Sequence, residues 1–414
     1  MASIQIFRSS DVAAVDRLLV VDRDRSGPVD ERVAEIVARV RRSGDRALLG
    51  YARRLDNLKR PIELTALEIR EGAERVAAPV RRAIRDAASH IRSVARKQVP
   101  KGFRVTTTPG VVVEQRVTPL DRVGCYVPGG RHPLPSSLLM TAIPAKTAGV
   151  AEVIVACPRP EPAVLAAAVE AGVSRLFQMG GAHAIAALAY GTKTVPRVDK
   201  IVGPGNQFVA AAKALVSRDC GIDFYAGPTE ILIVADNGSA RWIAADLIAQ
   251  AEHDTEARAI LITSNRALAR DVAAQIERQL PTDGPARRSL ATRGGIVLTR
   301  NEAESIALAN RAAPEHLACS SERVARAVRS AGAIFIGPHT AQVAGDYAIG
   351  SNHVLPTSGA ARYRGGLSAA DFVRLTSVQR VTPRGLTALA PTIVTLARAE
   401  GLSAHAASIE VRLK

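Results

Sequence analysis

The sequence predicts an α/β protein built from two units of parallel β-sheet, and two observations lead to this prediction. The chain has 414 residues, which exceeds the length at which one hydrophobic core usually stops growing, so two packed units are expected. From residue 105 onward, short β-branched runs such as "VIVACP" alternate with alanine-rich runs such as "AVLAAAVEAG". This alternation is typical of βαβ units, and a second series from "ILIVAD" to "AIFIGP" repeats it after a boundary near residues 225–230.

The segments before and after these units are predicted to be mainly helical. Up to about residue 100, stretches such as "VDERVAEIVARVRRSGDRALLGYARRLD" place apolar residues three and four apart, which predicts amphipathic scaffold helices. The last part, beginning at "SVQRVTPRG", predicts helices and one strand attached to the second unit. This tail could contact a partner subunit.

The composition is that of a folded protein, with 47% apolar and 23% charged residues. There is no run of about 18 uncharged apolar residues, and the N-terminus lacks the charged start, apolar stretch and cleavage site of a secretory signal. The four cysteines are scattered without a CxxC pair, which argues against a thiolate zinc site and a disulfide scaffold. We therefore expect a cytoplasmic protein that has no membrane partner.

The net charge of +16 raises the question of nucleic-acid binding. Basic residues are concentrated early, in runs such as "VRRAIRD" and "IRSVARKQVPKGFR", and could form a patch that attracts phosphates. Aromatic residues make up only 3% of the chain, and no helix-turn-helix or RNA-binding signature is present. We therefore expect no nucleic-acid partner, and prefer attraction of an anionic small substrate or cofactor.

Four glycine-containing loops stand at predicted strand ends: "VPGGRHPLPSS", "MGGAHA", "VGPGNQ" and "AGPTE". Glycine lets the backbone approach a ligand, and the start of a following helix attracts phosphate. None of the loops matches GxGxxG, since the third position after Gly203 and Gly205 is Phe208, so a standard dinucleotide fingerprint is absent. Glycine and proline also end strands for purely structural reasons. Four such loops in one unit nevertheless favour a ligand crevice.

Several polar side chains stand out against apolar surroundings. In "AADLIAQAEHD", Gln250 and His253 are three residues apart, a helical spacing that suits either joint metal ligation or a solvated surface. "VAGDYAIGSNHVLPTSG" predicts a functional loop in which Asp346 is a candidate ligand or base. In "AEGLSAHAAS", Glu400 and His405 stand in a segment otherwise poor in polar groups, where His405 alone would be a surface histidine.

The stretch "AAPEHLACS" places Glu315 beside His316, directly after Pro314. Proline suits the first position of a helix, and a carboxylate in the first turn favours the helix dipole, so a helix start explains both residues. The positive end of that dipole would keep His316 neutral. A neutral imidazole is what a general base at about pH 7 requires.

Taken together, these motifs resemble the histidinol dehydrogenase family. "CYVPGG", "PSSLLMTAIPAKTAGV", "GPGNQFVAAAK", "AGPTEILIVAD", "QAEHD", "APEHL", "GDYAIGSNHVLPTSG" and "AEGLSAHAAS" occur in that family's order, over nearly the whole chain. The resemblance implies a zinc-dependent oxidation of L-histidinol through the aldehyde to L-histidine, with two NAD. It also implies an α/β fold of two incomplete Rossmann-like parallel-sheet domains with small helical terminal segments, swapped into a homodimer.

On this resemblance we divide the chain into four parts. Residues 1–20 form a small N-terminal segment, and residues 21–125 together with 230–368 form a first, discontinuous α/β domain. Residues 126–229 form the second α/β domain, which binds NAD. Residues 369–414 form a tail that reaches the partner subunit.

The resemblance also implies roles for individual residues. One zinc ion per subunit would have four ligands, the last of them from the partner subunit: Gln250, His253, Asp346 and His405. His316 would remove the alcohol proton, and Glu315 would activate the water that attacks the aldehyde. The residues that contact NAD would be Tyr126, His183 and Asn206. The residues that contact the substrate would be Thr229, Gln250, His253, His316, Asp346, Glu400 and His405.

Some positions depart from the family pattern and leave an alternative open. His183 stands in "GGAHA" where the family has a glutamine, which changes the geometry and charge of a cofactor contact. "GGRHPLPSS" carries Arg131, His132 and Leu134 where small residues and an aromatic are expected, and "IGSNH" replaces the commoner AGPNH. Relatives in the superfamily that oxidise sulfonated diols share such a GGR loop. The alternative is therefore a paralogous dehydrogenase of another small alcohol, ahead of a non-enzymatic protein on the same scaffold.

Overall fold

The computed structural model describes residues 4–20, 27–129, 133–225 and 227–413, which form two six-stranded sheets and one three-stranded sheet. The strands in chain order are β1 (Ile6–Arg8), β2 (Glu63–Leu64), β3 (Phe103–Thr108), β4 (Val111–Pro119), β5 (Arg122–Tyr126), β6 (Glu152–Ala156), β7 (Arg175–Phe177), β8 (Lys200–Val202), β9 (Gly221–Ile222), β10 (Glu230–Val234), β11 (Arg258–Thr263), β12 (Gly295–Leu298), β13 (His316–Cys319), β14 (Ala333–Ile336) and β15 (Val373–Val381). The α-helices in chain order are α1 (Val12–Leu19), α2 (Pro28–Ser43), α3 (Asp45–Leu55), α4 (Ala66–Glu74), α5 (Ala78–Gln98), α6 (Pro135–Thr147), α7 (Pro162–Ala171), α8 (Gly181–Tyr190), α9 (Gln207–Val216), α10 (Ala240–Ala251), α11 (Arg266–Gln279), α12 (Pro285–Arg293), α13 (Glu302–Ala312), α14 (Glu322–Ala327), α15 (Gln342–Tyr347), α16 (Pro383–Ala399) and α17 (Ser403–Glu410). Short 3-10 turns lie at Ala360–Arg362 and Ala369–Phe372.

The first sheet has the order β1-β12-β11-β10-β13-β14 and is parallel throughout. Helices cover both of its faces, so its strands are apolar on both sides. In β10, Ile231 and Ile233 pack with α10, α11 and α12, whereas Leu232 and Val234 pack with α1, α13 and α14. The chain runs from β10 outward to β12 and then crosses back to β13, so the order of the sheet changes direction between β10 and β13.

The second sheet has the order β2-β7-β6-β5-β8-β9 and is parallel except for the edge strand β2. In β6, Val153 and Val155 pack with α4 to α7, whereas Ile154 and Ala156 pack with α2, α3, α8 and α9. The order of this sheet changes direction between β5 and β8. Two parallel sheets, each covered on both faces, confirm the predicted α/β class.

This packing differs from the predicted division of the chain in two places and corrects it. Helices α2 to α5, within residues 21–125, pack on the second sheet rather than with residues 230–368. Their apolar faces, which include Leu48 and Ile91, fit the two sides of that sheet, and β2 pairs with its strand β7. Residues 6–19, predicted to lie in a separate small segment, form β1 and α1 of the first sheet.

The third sheet has the order β15-β4-β3, is antiparallel and contacts the tail helix α16, on which α17 packs. Large apolar side chains are exposed on its strands and on the tail: Phe103, Val105, Leu375, Val381, Leu396, Val411 and Leu413. Exposed apolar groups gathered on one part of a chain are typical of a contact surface. No helix in the described part of the chain is long and apolar enough to cross a bilayer.

The loop between β8 and α9 is fixed by a buried ion pair. Asp223 Oδ1 accepts a hydrogen bond from Lys213 Nζ, and Asp223 Oδ2 accepts one from Gly203 N at 2.7 Å. Lys213 Nζ also donates to Gly203 O at 3.1 Å. Gly203 has a φ of +116°, and a Cβ there would lie 2.2 Å from Tyr126 O, so the position requires glycine. The ion pair therefore holds the "VGPGNQ" loop against the end of β5.

We predict that Asp223→Ala lowers the free energy of unfolding by about 3 to 5 kcal/mol, because it leaves a buried ammonium group without a counter-charge. The measurement is urea-induced unfolding followed by circular dichroism. Adding Lys213→Met to the same chain should recover most of the loss. As a control, Glu256→Ala removes the partner of Arg293 in an exposed pair of 2.6 Å, and should cost less than about 1 kcal/mol. Equal, small effects of Asp223→Ala and the control would contradict this account.

Candidate active site

Polar residues meet at the amino ends of β10 and β13, where the first sheet changes direction. The two strands are neighbours, with Ile231 opposite His316. Thr229 and Glu230 stand at the start of β10, and Glu315 directly precedes His316 at the start of β13. Parallel pairing therefore brings a hydroxyl group, two carboxyl groups and an imidazole to one end of the sheet.

The predicted helix start at Pro314 is wrong. Helix α13 ends at Ala312, and Ala313 has the left-handed conformation, with φ 48°, that commonly closes a helix. Pro314 follows and cannot continue the helix, because it has no N–H to donate. Glu315 lies in a bend and His316 is the first residue of β13. The proline thus marks the end of one helix and not the beginning of another.

Glu315 is a buried carboxyl group, 5% exposed. Its Oε2 accepts hydrogen bonds from Thr229 Oγ1 at 2.6 Å and from Glu230 N at 2.8 Å. Burial raises the pKa of Glu315 to about 8, and the charge of Asp346 also raises it. The two hydrogen bonds lower this pKa but do not offset burial. Once ionised, such a carboxylate is a stronger base than an exposed one.

His316 is buried and is oriented by the backbone of Glu230. Its Nδ1 lies 3.0 Å from Glu230 O. Because a carbonyl oxygen can only accept, we assign the hydrogen to Nδ1 and the lone pair to Nε2. Burial lowers the pKa of His316, although Asp346 and the Glu230 carbonyl act in the opposite direction. The neutral imidazole that was predicted from a helix dipole is therefore explained by burial.

Gln250 and His253 are not both part of one helix, contrary to the prediction. Gln250 is fully buried near the end of α10, whereas His253 is exposed and lies beyond Glu252, the C-cap residue. Gln250 Nε2 donates to Thr229 Oγ1 at 2.7 Å. This leaves Gln250 Oε1 buried without a hydrogen-bond partner among the described residues. An unpaired buried oxygen is costly, and a bound cation is one group that would satisfy it.

Asp346 is held by a glutamine that the sequence analysis did not single out. In α15, Gln342 Nε2 donates to Asp346 Oδ2 at 2.7 Å and lies 3.3 Å from His316 Nε2. Burial raises the pKa of Asp346, whereas His316, Gln342 and His253 lower it, so His253 is close enough to act on this carboxyl group. The sequence feature that could have identified Gln342 is its spacing of four residues from Asp346, since residues at this spacing share one face of a helix.

Glu400 and His405 lie apart from the other predicted site residues in a single chain. Glu400 is the C-cap of α16 and His405 lies in α17, and both are exposed. Helix α17 packs on α16, which packs on β15 of the third sheet. Within the described ranges, no three His, Cys, Asp or Glu side chains are grouped so that they could hold a metal ion. The structure therefore brings Gln250, His253 and Asp346 to one region but not His405.

The three predicted cofactor residues lie at the carboxyl edge of the second sheet. Tyr126 ends β5, His183 lies in the first turn of α8 after β7, and Asn206 is the N-cap of α9 after β8. The order of the sheet changes direction between β5 and β8, and in open α/β sheets such a position forms a crevice. Asn206 is exposed at this crevice, with its Oδ1 bound to the first N–H groups of α9.

His183 is buried against a carboxylate that the sequence analysis missed. Its Nε2 lies 2.8 Å from Asp56 Oδ2, which also accepts a hydrogen bond from Gly180 N at 2.9 Å. Next to it, Tyr126 Oη accepts from Gly181 N at 3.1 Å, and burial raises the pKa of Tyr126 to about 12. The histidine in place of glutamine thus ties the end of α3 to the "MGGAHA" loop. No sequence signal connects the two residues, which are 127 positions apart.

Among the other departures from the family pattern, Leu134 and Ile349 bring apolar side chains. Arg131 and His132 lie outside the described residues. Leu134 is the N-cap of α6 and packs against the core of the second sheet. Ile349, from "IGSNH", is 47% exposed after the end of α15.

Several known proteins similar to this chain belong to one family. The family model described as histidinol dehydrogenase matches residues 21–413. A histidinol dehydrogenase from Methylococcus capsulatus is 46% identical over 415 residues, covering 97% of this chain and 95% of the relative. One from Brucella suis is 47% identical over 405 residues, covering 94% of each chain. The crystal structure of histidinol dehydrogenase from Elizabethkingia anophelis superposes with a TM-score of 0.93 at 33% identity, covering 99% of this chain and 98% of the other. The chain belongs to the histidinol dehydrogenase family, which confirms what the order of its motifs predicts.

Proposed function

We propose that this chain oxidises L-histidinol to L-histidine through L-histidinaldehyde, with two NAD as hydride acceptors, in histidine biosynthesis. The observation that carries the proposal is the pair of buried bases, Glu315 and His316, with 3.6 Å between Glu315 Oε2 and His316 Nδ1. Two successive oxidations need two proton acceptors, one for the alcohol and one for the water that adds to the aldehyde. Membership of the family supplies the identity of the substrate.

In the first oxidation, His316 is the general base. Its Nδ1–H is bound to Glu230 O, so the lone pair on Nε2 accepts the proton of the substrate hydroxyl. Because burial lowers the pKa of His316, the imidazole is neutral near pH 7 and is able to accept a proton. Loss of this proton accompanies transfer of hydride to NAD from the carbon atom that carries the hydroxyl group.

In the second oxidation, Glu315 is the general base. It takes a proton from the water that attacks the aldehyde carbon, which gives the anion of the hydrate. This anion transfers a second hydride to NAD and leaves the carboxylic acid. A carboxyl group whose pKa burial raises to about 8 holds that proton more firmly than an exposed carboxyl group would. Thr229 Oγ1 and Glu230 N keep Oε2 in place while this happens.

The donor set fits a zinc ion held by Gln250, His253, Asp346 and the partner subunit's His405. Gln250 Oε1 is buried without a partner among the described residues, and Asp346 is a buried carboxyl group whose pKa is raised by burial. A cation between them would satisfy the oxygen and relieve the buried charge. When bound, zinc supplies Lewis-acid chemistry that grips and orients the substrate, and it takes no part in electron transfer.

The proposed cofactor site is the carboxyl edge of the second sheet. Tyr126 stays a protonated hydroxyl group there, because burial raises its pKa to about 12. Asn206 is exposed at the start of α9, and His183 anchors the loop that begins α8. At the start of α8, the N-cap Gly180 makes no side-chain hydrogen bond to the helix, and such a helix start favours the phosphates of a dinucleotide.

A homodimer would complete the site. Glu400 and His405 are exposed in a tail that carries exposed apolar groups such as Leu396 and Val411, and this tail packs on the third sheet. In our proposal the tail of each subunit reaches the site of the other, so that the apolar groups are buried and the substrate contact and zinc ligand are supplied together.

The described cysteines support a cytoplasmic location. All four are buried free thiols. Burial raises the pKa of Cys125, Cys157 and Cys220 to about 12, so these thiols stay protonated and unreactive. Free, unpaired thiols are typical of proteins in a reducing compartment.

The substrate is tested with purified, zinc-loaded protein and NAD, by following NADH absorbance. We expect two NADH for each L-histidinol consumed, because alcohol and aldehyde are oxidised in turn. The comparison substrate is 2,3-dihydroxypropanesulfonate, which represents a paralogous dehydrogenase of sulfonated diols. Turnover of the sulfonate without turnover of L-histidinol would reject the proposed function.

The two bases are separated by substitutions that affect different steps. His316→Asn should lower the rate of alcohol oxidation by about 10² to 10⁴-fold, since it removes the proton acceptor. Glu315→Gln should lower the rate of aldehyde oxidation more than that of alcohol oxidation, which is measured by supplying L-histidinaldehyde directly. Zinc content serves as the control and should be unchanged in both variants. Loss of zinc in His316→Asn would instead make His316 a ligand.

The tail exchange is tested by mixing two inactive subunits. His405→Ala and Asp346→Ala should each be inactive alone, because each lacks a zinc ligand. Random assembly of equal amounts gives mixed dimers with one complete site, and about a quarter of wild-type activity is expected if His405 acts across the dimer. The mixture should stay inactive if His405 served the site of its own chain.

A further inference from the structure

Gln342 is buried within the site but has no role in the steps described above. It is 2% exposed and is the first residue of α15. Asp346 follows four residues later, so the two side chains lie on the same face of the helix. That face is turned toward the start of β13, where His316 lies, because Gln342 Nε2 is 3.3 Å from His316 Nε2.

The hydrogen bonds of Gln342 are determined by its neighbours. His316 Nδ1 carries a hydrogen because it faces Glu230 O, so His316 Nε2 can only accept. Asp346 Oδ2 also accepts when the carboxyl group is ionised. An amide nitrogen has two hydrogens, one for each of these acceptors. The reversed amide would place its oxygen against two acceptors and is therefore excluded.

The side chain of Gln342 is held in place by the hydrogen bonds of its amide nitrogen, since its amide oxygen makes none. Gln342 Oε1 is buried and has no hydrogen-bond partner among the described residues. An unpaired buried oxygen destabilises a fold. An apolar side chain of similar length would avoid this cost and fill the same space, so packing alone does not explain a glutamine here.

We infer that Gln342 is a positioning residue whose amide nitrogen bridges the base His316 and the carboxylate Asp346. When substrate binds, its hydroxyl group takes the place of the amide nitrogen at His316 Nε2. The inference rests on the proposed function, in which His316 is the base and Asp346 a zinc ligand. The bond to Asp346, at 2.7 Å, is the shorter of the two, and the contact with His316, at 3.3 Å, is the one that an incoming hydroxyl replaces. Gln342 thereby orients the Nε2 lone pair of His316 and the carboxylate of Asp346 toward the same part of the site.

The test compares Gln342→Met with the wild type. Methionine keeps the length and volume of the side chain but offers no donor. We expect the dissociation constant for zinc, measured by competition with a chromophoric chelator, to rise about 10- to 100-fold, and kcat for L-histidinol to fall by a similar factor. The KM for NAD should be unchanged, since the cofactor residues belong to the second sheet. The midpoint of urea unfolding should fall only modestly, because the substitution removes one unpaired buried oxygen but leaves Asp346 Oδ2 without its donor.

A third readout needs neither zinc nor substrate. In metal-free protein labelled with ¹⁵N-histidine, the Nε2 signal of His316 should move downfield in Gln342→Met, because this nitrogen loses its hydrogen-bond donor. The chain has eight histidines, and the signal that disappears in His316→Asn identifies the right one. Gln342→Leu provides a second apolar variant should Gln342→Met fold poorly.

The control is Gln279→Met, which replaces a glutamine at the end of α11 whose Nε2 donates to Arg241 O. It should match the wild type in zinc affinity, kcat and the His316 signal. If Gln342→Met also matches the wild type in all three, the inference is overturned. If the zinc affinity and the His316 signal change as expected but the wild type does not oxidise L-histidinol, the positioning role stands and the proposed substrate is rejected.

Discussion

The geometry of the site depends on the backbone N–H and carbonyl groups of one residue, Glu230, at the start of β10. Its N–H donates to Glu315 Oε2 at 2.8 Å, and its carbonyl oxygen lies 3.0 Å from His316 Nδ1. Both proposed bases are therefore oriented by the same residue, and the parallel pairing of β10 with β13 sets the distance between them. A shift of one residue in this register would turn His316 to the opposite face of the sheet and separate it from Asp346.

The side chain of Glu230 explains how this backbone is held. Its carboxyl group lies 3.4 Å from Arg258 Nη1 and accepts a hydrogen bond from Ser358 N at 3.1 Å. Burial raises the pKa of Glu230 to about 7, although Arg258 lowers it, so the group is only partly ionised near neutral pH. A buried pair of this kind adds little net stability, because desolvation offsets the attraction. We infer that Glu230 and Arg258 serve mainly to fix the start of β10.

The sequence predicts the parts of the structure that are set by local pattern. Alternating β-branched and alanine-rich runs give both parallel sheets, but an amphipathic helix does not show which sheet it covers, so the first helices were assigned to the wrong one. The local rules for Pro314 allow both a helix start and a helix end, and the left-handed backbone of Ala313 decides between them. Contacts such as that of Asp56 with His183 join positions far apart in the chain and leave no local signal.

The proposed cofactor crevice lies at the carboxyl edge of the second sheet, whereas the two proposed bases lie at the amino edge of the first sheet. The segment that follows α15 connects them. Asn352 Nδ2 donates to Met140 O at 2.7 Å, and His353 Nε2 lies 3.5 Å from Ser137 Oγ, with both partners in α6 of the second sheet. His353 Nδ1 is also 3.0 Å from Asp346 O. The backbone of Asp346, a proposed zinc ligand, is thus tied to the second sheet through His353. This segment therefore links the proposed zinc ligand to the sheet that forms the proposed cofactor crevice.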